Sequence, residues 1–320
     1  MNYIFRKIII AALTMFLVSV FCFLVFSVIR GDAASFLAGM EASPEHLSAL
    51  REGMGLNRNV FIRYSEWLSD FLSGNPGNSL RFRGEAISSM IAGRLPVSFT
   101  LALLSLFFIL VISIPVSLLM VKKEGNTADR IVNILTAVGI STPGFFMGLI
   151  LIWIFGFTLK LFIPGLYIDY RENMGSFIGS LCFPALAIAI PNSAVLAKFL
   201  RGSLFKELQS DYVRTVKSKG ADRLYILRRH VLKNAIIPAV TVFGMIIAEV
   251  FSGSIIIEQV FTIPGIGRLL LAAISSRDYP LIQALMVYIA FIVVLANTLA
   301  DIIIMILDPR IRADGKSREI

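Results

Sequence analysis

Charge is scarce in this chain. Of its 320 residues 16% are Asp, Glu, Lys or Arg, against 57% hydrophobic, and the mean hydropathy is +0.80. Soluble domains carry about a quarter charged residues, so a globule surrounded by water is excluded. Chemistry-bearing side chains are scarce too. The histidines are His46 and His230, and the cysteines are Cys22 and Cys182. Neither pair has the spacing of a metal site or a disulfide framework. Both cysteines lie in or beside apolar runs, where a thiol behaves as a small hydrophobe. No G-x-x-x-x-G-K-[ST] phosphate loop occurs, so ATP binding by this chain is not expected. With no nucleophile elbow and no paired carboxylates, the chain is expected not to be a catalyst.

What it has in quantity is long apolar runs. They fall at 8–29, 96–121, 131–159, 181–200, 238–257 and 281–307. About 20 apolar residues cross the hydrocarbon core as a helix, and the lack of water there forces each backbone group to find a partner within its own segment. The expectation is an all-α polytopic membrane protein with six transmembrane helices. Arg6 and Lys7 precede the first run, but its length exceeds a signal-peptide core, so it reads as a retained anchor. Thr142-Pro143-Gly144 should interrupt the third span, and Pro184 and Pro191 the fourth. Such breaks line cavities or simply kink a helix.

The basic residues give the orientation. One set of connections holds Arg6, Lys7, Lys122, Lys123, Arg130, a polar excursion over 198–233, and the tail residues Arg310, Arg312, Lys316 and Arg318. The largest segment on the other side balances Arg51, Arg58, Arg63, Arg81 and Arg83 with Glu41, Glu45, Glu52, Glu66, Asp70 and Glu85. Both termini are therefore expected in the cytoplasm. The net charge of +9 is mostly this bias, and nucleic-acid binding is not needed to explain it. The resulting division is an N-terminal helix over 1–30, an extracytoplasmic segment over 31–93, a membrane core over 94–308 and a cytoplasmic tail over 309–320.

Within 31–93, a short helix is expected over 44–54 with Ser43 as its cap. A second is expected over 59–72, where Val60, Tyr64, Trp67, Leu68 and Phe71 recur at helical spacing, before a turn over 73–79. This segment reads either as a cap that meets an outside partner or as a lid on the membrane surface.

The polar excursion between the fourth and fifth spans, 204–238, is a basic helical hairpin. Ser210 can cap a helix from Asp211, whose carboxylate suits the positive end of the helix dipole. Tyr212, Val213 and Val216 form its apolar edge. Gly220 permits a left-handed turn, and Asp222 can cap a second helix carrying Leu224, Leu227 and Val231 on one stripe. Arg228, Arg229 and Lys233 follow, and Pro238 marks re-entry into the bilayer. Basic loops also attract anionic lipid, but two helices around a glycine fit a surface gripped by a cytoplasmic partner.

The strings Asp211-Tyr212-Val213-Arg214-Thr215, Lys217-Ser218-Lys219-Gly220 and Ile236-Ile237-Pro238 resemble the cytoplasmic signature loop of binding-protein-dependent ABC importer permeases of the oligopeptide/dipeptide/nickel branch. The resemblance extends along the chain: Arg94-Leu95-Pro96-Val97-Ser98-Phe99-Thr100, Phe183-Pro184-Ala185-Leu186, and Ser252-Gly253-Ser254 through Glu258 and Val260-Phe261. It continues in Pro264-Gly265-Ile266-Gly267, Arg277-Asp278-Tyr279-Pro280, Asn297, Asp301 and Asp308-Pro309-Arg310. Val216-Lys217-Ser218 departs from the Glu-Ala-Ala of the wider signature.

The resemblance implies a type I importer permease fold and a docking role for Asp211, Tyr212, Val213, Arg214, Thr215, Lys217, Lys219, Gly220, Ala221, Arg229 and Pro238. It implies a second permease, two cytoplasmic ATPases that hold ATP and Mg, and an extracytoplasmic binding protein. Short peptides are the expected cargo, with nickel or its chelates as the alternative. Glu249 falls mid-span where a small or apolar residue is expected, and an ionisable group there is a pathway candidate or pairs with a polar neighbour. Glu258, Asn297 and Asp301 are further pathway or gate candidates, although Asn297 and Asp301 also suit helix packing. A proton-coupled secondary carrier using Glu249 or Asp301, or a scaffold without transport, are the readings from other classes.

Overall fold

The structure is a computed structural model that describes residues 2–38, 48, 52, 58–82 and 84–307. The cap at Ser43, nearly all of the helix expected over 44–54, and the tail from Asp308 onward lie outside the described residues.

The described chain is almost entirely helical: α1 (Asn2–Ala38), α2 (Val60–Leu72), α3 (Ile87–Lys122), α4 (Thr127–Ser141), α5 (Gly144–Leu151), α6 (Met174–Leu208), α7 (Asp211–Ser218), α8 (Arg223–Ile226), α9 (Leu232–Val260), α10 (Ile266–Ser276) and α11 (Tyr279–Leu307). A π-helical stretch, Ile152–Thr158, prolongs α5, and another, Leu227–Val231, fuses α8 to α9.

Five of these helices are long and apolar enough to cross a membrane: α1, α3, α6, the rod Leu224–Val260, and α11. The sixth expected span is not straight. Thr127–Ser141 and Gly144–Thr158 are bent by 111°. Pro143 explains the break, because it lacks an N–H and pushes the preceding residue out of the helical region. Thr142 accordingly sits extended at φ −92°, ψ 117°. Beyond the π-helical stretch the chain turns back so closely that a Cβ on Gly156 would lie 2.7 Å from Pro164 Cγ.

Two further prolines do not behave as expected: Pro184 and Pro191 lie inside an unbroken α6. Pro238, expected at the re-entry into the bilayer, lies inside α9. Each removes one backbone bond, but α6 buries Leu181, Ala185, Ile188, Ala189, Leu196 and Leu200 against its neighbours. Lateral packing holds the helix through the gap. Pro143 differs in having a second breaker, Gly144, beside it.

Two compact units make up the chain. The first comprises Met1–Pro96 and Gly265–Leu295. Its core gathers Phe26, Ile87, Met90, Ile91, Ile266, Leu269, Leu281 and Leu285. The aromatic periodicity of 59–72 becomes α2, capped by Asn59 Oδ1 accepting from Phe61 N at 2.9 Å. Its Tyr64 and Trp67 rings meet Phe23 of α1, and Phe71 meets Tyr288 of α11. Ser19 and Tyr64 share a hydrogen bond of 2.8 Å. In the same unit Asp278 is fully buried. Its carboxylate accepts from Ser79 Oγ and from the backbone N–H groups of Leu80 and Arg81, locking the loop after α2 to the start of α11.

The second unit, Val97–Pro264 with Ala296–Ile320, is built around α6. Its core runs from Leu101 and Ile109 of α3 through Leu181, Ala185, Leu200 and Leu204 to Ile246, Val250 and Ile257 of α9. This unit carries the hairpin.

Candidate functional site

The hairpin grows directly out of the spans. α6 ends at Leu208, and α7 begins three residues later at Asp211. Ser210 occupies the N-cap position but does not cap, since its hydroxyl donates to Glu207 O at 2.6 Å. This corrects the expected cap: a carbonyl at the end of α6 lies within closer reach. The apolar edge forms as the spacing requires, with Val213 buried and Tyr212 and Val216 half-buried against the core. Tyr212 Oη donates to Glu207 Oε2 at 2.9 Å and lines the same cavity as Asn234 of α9. Burial first, then the Glu207 carboxylate, raises the Tyr212 phenol above its ordinary range. It therefore stays a neutral clamp between α6 and α7.

Everything beyond that edge is bare. Asp211, Arg214, Thr215, Lys217, Ser218, Lys219 and Gly220 are exposed, and Ala221 is half-buried. Gly220 sits at φ +78°, where a side chain is strained, yet a Cβ there would meet nothing within 4 Å. Glycine is needed for backbone shape, and the space in front of it is open. Asp222 then caps the return arm through Leu224 N at 3.0 Å. Ile226, Leu227 and Val231 are buried while Arg228, Arg229 and Lys233 face outward. An ion pair on α7 itself, Arg214 with Asp211 at 3.7 Å, is solvated and contributes little.

A groove of about 1140 Å³ lies behind the hairpin, walled by Val195, Lys198, Gly202 and Lys206 of α6 and by Asn234 and Pro238 of α9. Pro238 thus faces this groove from within a continuous helix.

The base of the hairpin carries a polar lock that the sequence reading missed. Arg201 on α6 donates to Asp129 Oδ2 of α4 at 3.0 Å and to Asn133 Oδ1, and its guanidinium lies 5.3 Å from the Phe205 ring centroid. Asp129 is buried and also accepts from Asn133 Nδ2 at 2.9 Å. Arg201 and Asp129 are 72 positions apart in sequence, too far for a local pattern to pair them.

The acidic candidates separate by environment. Glu258 is fully buried and accepts from Ser98 Oγ of α3 at 2.6 Å. Asn297 is exposed and Asp301 half-buried, one turn apart on α11. Glu249 is exposed on α9, away from the core. The structure does not bring these four residues together. No group of three or more His, Cys, Asp or Glu able to hold a metal occurs among the described residues.

Bent and straight spans around a basic hairpin define a helical protein with several helices long and apolar enough to cross a membrane. The chain belongs to the family of binding-protein-dependent transport system inner membrane components. That family's model matches residues 113–313, and the model of its N-terminal region matches residues 1–102. Among similar proteins, the "Probable peptide ABC transporter permease protein" of Sinorhizobium fredii is 34% identical over 97% of this chain and 99% of its own length. The oligopeptide transport system permease protein AppB of Bacillus subtilis is 32% identical over 97% of this chain and 98% of its own. An inward-facing structure of the MetNI methionine ABC transporter shares the fold, with a TM-score of 0.55 at 16% identity, covering 69% of this chain and 97% of that one.

Proposed function

We propose that this chain is one of two membrane-spanning permease subunits of a bacterial ABC importer for short peptides. Its termini and hairpin would face the cytoplasm, with two ATPase subunits beneath and a binding protein outside. The observation that carries this is the hairpin: a bare, basic tip at Lys217 to Gly220, rigidly anchored at Tyr212 and Val213. An ion-coupled carrier does not need such a handle. A subunit driven by another protein's nucleotide cycle does.

The mechanism follows from the rod. From Leu224 to Val260 the chain is one helix of 37 residues, about 55 Å long at 1.5 Å per residue. Closure of the ATPases around ATP would displace the elbow. α7 cannot swing alone, because Tyr212 ties it to Glu207 of α6 and Val213 is packed into the core that α6 and α9 share, so the displacement would pass into α6 and α9. The lock between Arg201 and Asp129 would carry α4 with them. Access would then switch by rigid movement of packed helices between two states, with ATP contributing the differential contacts. This chain's own residues provide the lever, while ATP and Mg belong to the partners.

Peptide is favoured as cargo because relatives alike over nearly the whole chain are named for peptide or oligopeptide transport. The test is uptake by vesicles reconstituted with the full assembly and binding protein, offered a tryptic digest of casein. ATP inside should drive peptide accumulation, and omission of the ATPase subunits should abolish it. Accumulation that follows an imposed proton gradient without ATP would contradict the reading.

A further inference from the structure

The outward face of α9 is chemically unlike that of the other straight spans. On α3 the large exposed side chains through the apolar stretch are Phe99, Leu103, Phe107, Leu110, Val111 and Leu119, as a lipid-facing surface requires. On α9 the exposed stripe at helical spacing carries polar Asn234, Thr241, Glu249, Ser252 and Gln259, interspersed with Pro238, Met245 and Ile256. The opposite face of the same helix buries Ala235, Ala239, Ile246, Val250 and Ile257, so the polar stripe is not an accident of loose packing.

Glu249 is the costly member. It lies about 12 Å along the helix from Ile257 and about 16 Å from Pro238 at 1.5 Å per residue, near the middle of the apolar run. A carboxylate at that depth facing lipid costs roughly 3 kcal/mol or more. It makes no side-chain hydrogen bond or ion pair within the described chain, and Ser252 donates instead to the backbone carbonyls of Ala248 and Glu249. The lower end of the stripe, at Asn234, opens into the groove that Lys198 and Lys206 flank. An uncompensated anion on a polar stripe leading to an aqueous groove requires water or a cation in front of it.

We infer that Glu249 faces the translocation path and receives the ammonium group of the cargo as it passes mid-membrane. This rests on the reading of the chain as a peptide permease, since a peptide's free amino terminus is the cation that every cargo molecule would carry. The carboxylate offers a transient ion pair where the ammonium has lost bulk water. Lys198 and Lys206, with Glu207 beside them, leave the groove wall net positive and attract the carboxylate end. Glu249 thereby sets a preference for cargo with a free amino group.

Two measurements on the complete reconstituted assembly test this. In a Glu249→Cys variant, labelling at position 249 by a membrane-impermeant cationic methanethiosulfonate, read by peptide mass, should exceed labelling of a Phe107→Cys control at least tenfold. Equal, background labelling at both positions would place Glu249 in lipid and overturn the inference. In the uptake assay with the casein digest, Glu249→Gln should lower uptake per assembled complex at least tenfold, and Glu249→Asp should retain a third or more. Uptake by Glu249→Gln at the wild-type level overturns the inference while leaving the peptide reading intact. Loss of assembly in Glu249→Gln, with normal uptake by the complexes that remain, would assign the carboxylate to a basic group of the second permease and also overturn it. If the wild-type assembly accumulates no peptide, the peptide reading fails first.

Discussion

Arg201, Asp129 and Asn133 form a part-buried polar cluster in which each member depends on the others. Removing one partner leaves an uncompensated buried charge, which costs about 3 kcal/mol. Asp129→Ala is therefore expected to destabilise the protein by about that amount, measured by thermal unfolding in detergent. A double variant, Asp129→Leu with Arg201→Met, should lose much less than the sum of the single changes. Additive losses would mean the lock is not a unit. Tyr212 behaves differently. Because its phenol is held above the usual tyrosine range, its clamp contributes below the ordinary pKa of about 10 and is lost as pH rises through the raised value. Physiological pH does not reach that window.

Local signals carried well at the level of the element. The stripe of Tyr64, Trp67 and Phe71, the left-handed Gly220 and the Asp222 cap were legible because helix periodicity and turn chemistry act within a few residues. Most failures come from contacts distant in sequence. Pro184 and Pro191 look like breaks, yet burial against neighbouring helices keeps α6 whole. Ser210 looks like a cap, yet a closer carbonyl takes its proton. The Arg201–Asp129 and Ser98–Glu258 pairs, separated by 72 and 160 positions, depend on tertiary contacts that no local pattern encodes.

The hairpin also yields a clear element-scale expectation. Gly220→Asp strains a left-handed position by roughly 1–2 kcal/mol but meets no steric wall within the chain. The variant should insert and fold normally. Any fault should appear at the docking face, as ATP hydrolysis continuing while peptide uptake falls at least tenfold. Uptake at the wild-type rate would remove the hairpin from the coupling path.

For the molecule as a whole, the proposed function separates force from selectivity. The elbow, its Tyr212 clamp and the Arg201 lock occupy one end of the rod, and the polar stripe with Glu249 lies further along it. A stiff helix joins them, so one displacement could both open the path and move the carboxylate. The account depends on nucleotide-driven closure reaching this chain through the hairpin tip. The most direct measurement places a photo-crosslinking amino acid at Lys217, irradiates native membranes, and identifies the adduct by mass spectrometry. The account predicts a nucleotide-hydrolysing subunit joined at that position, with a yield that changes on adding ATP. Adducts only to lipid, or an ATPase adduct indifferent to ATP, would contradict it.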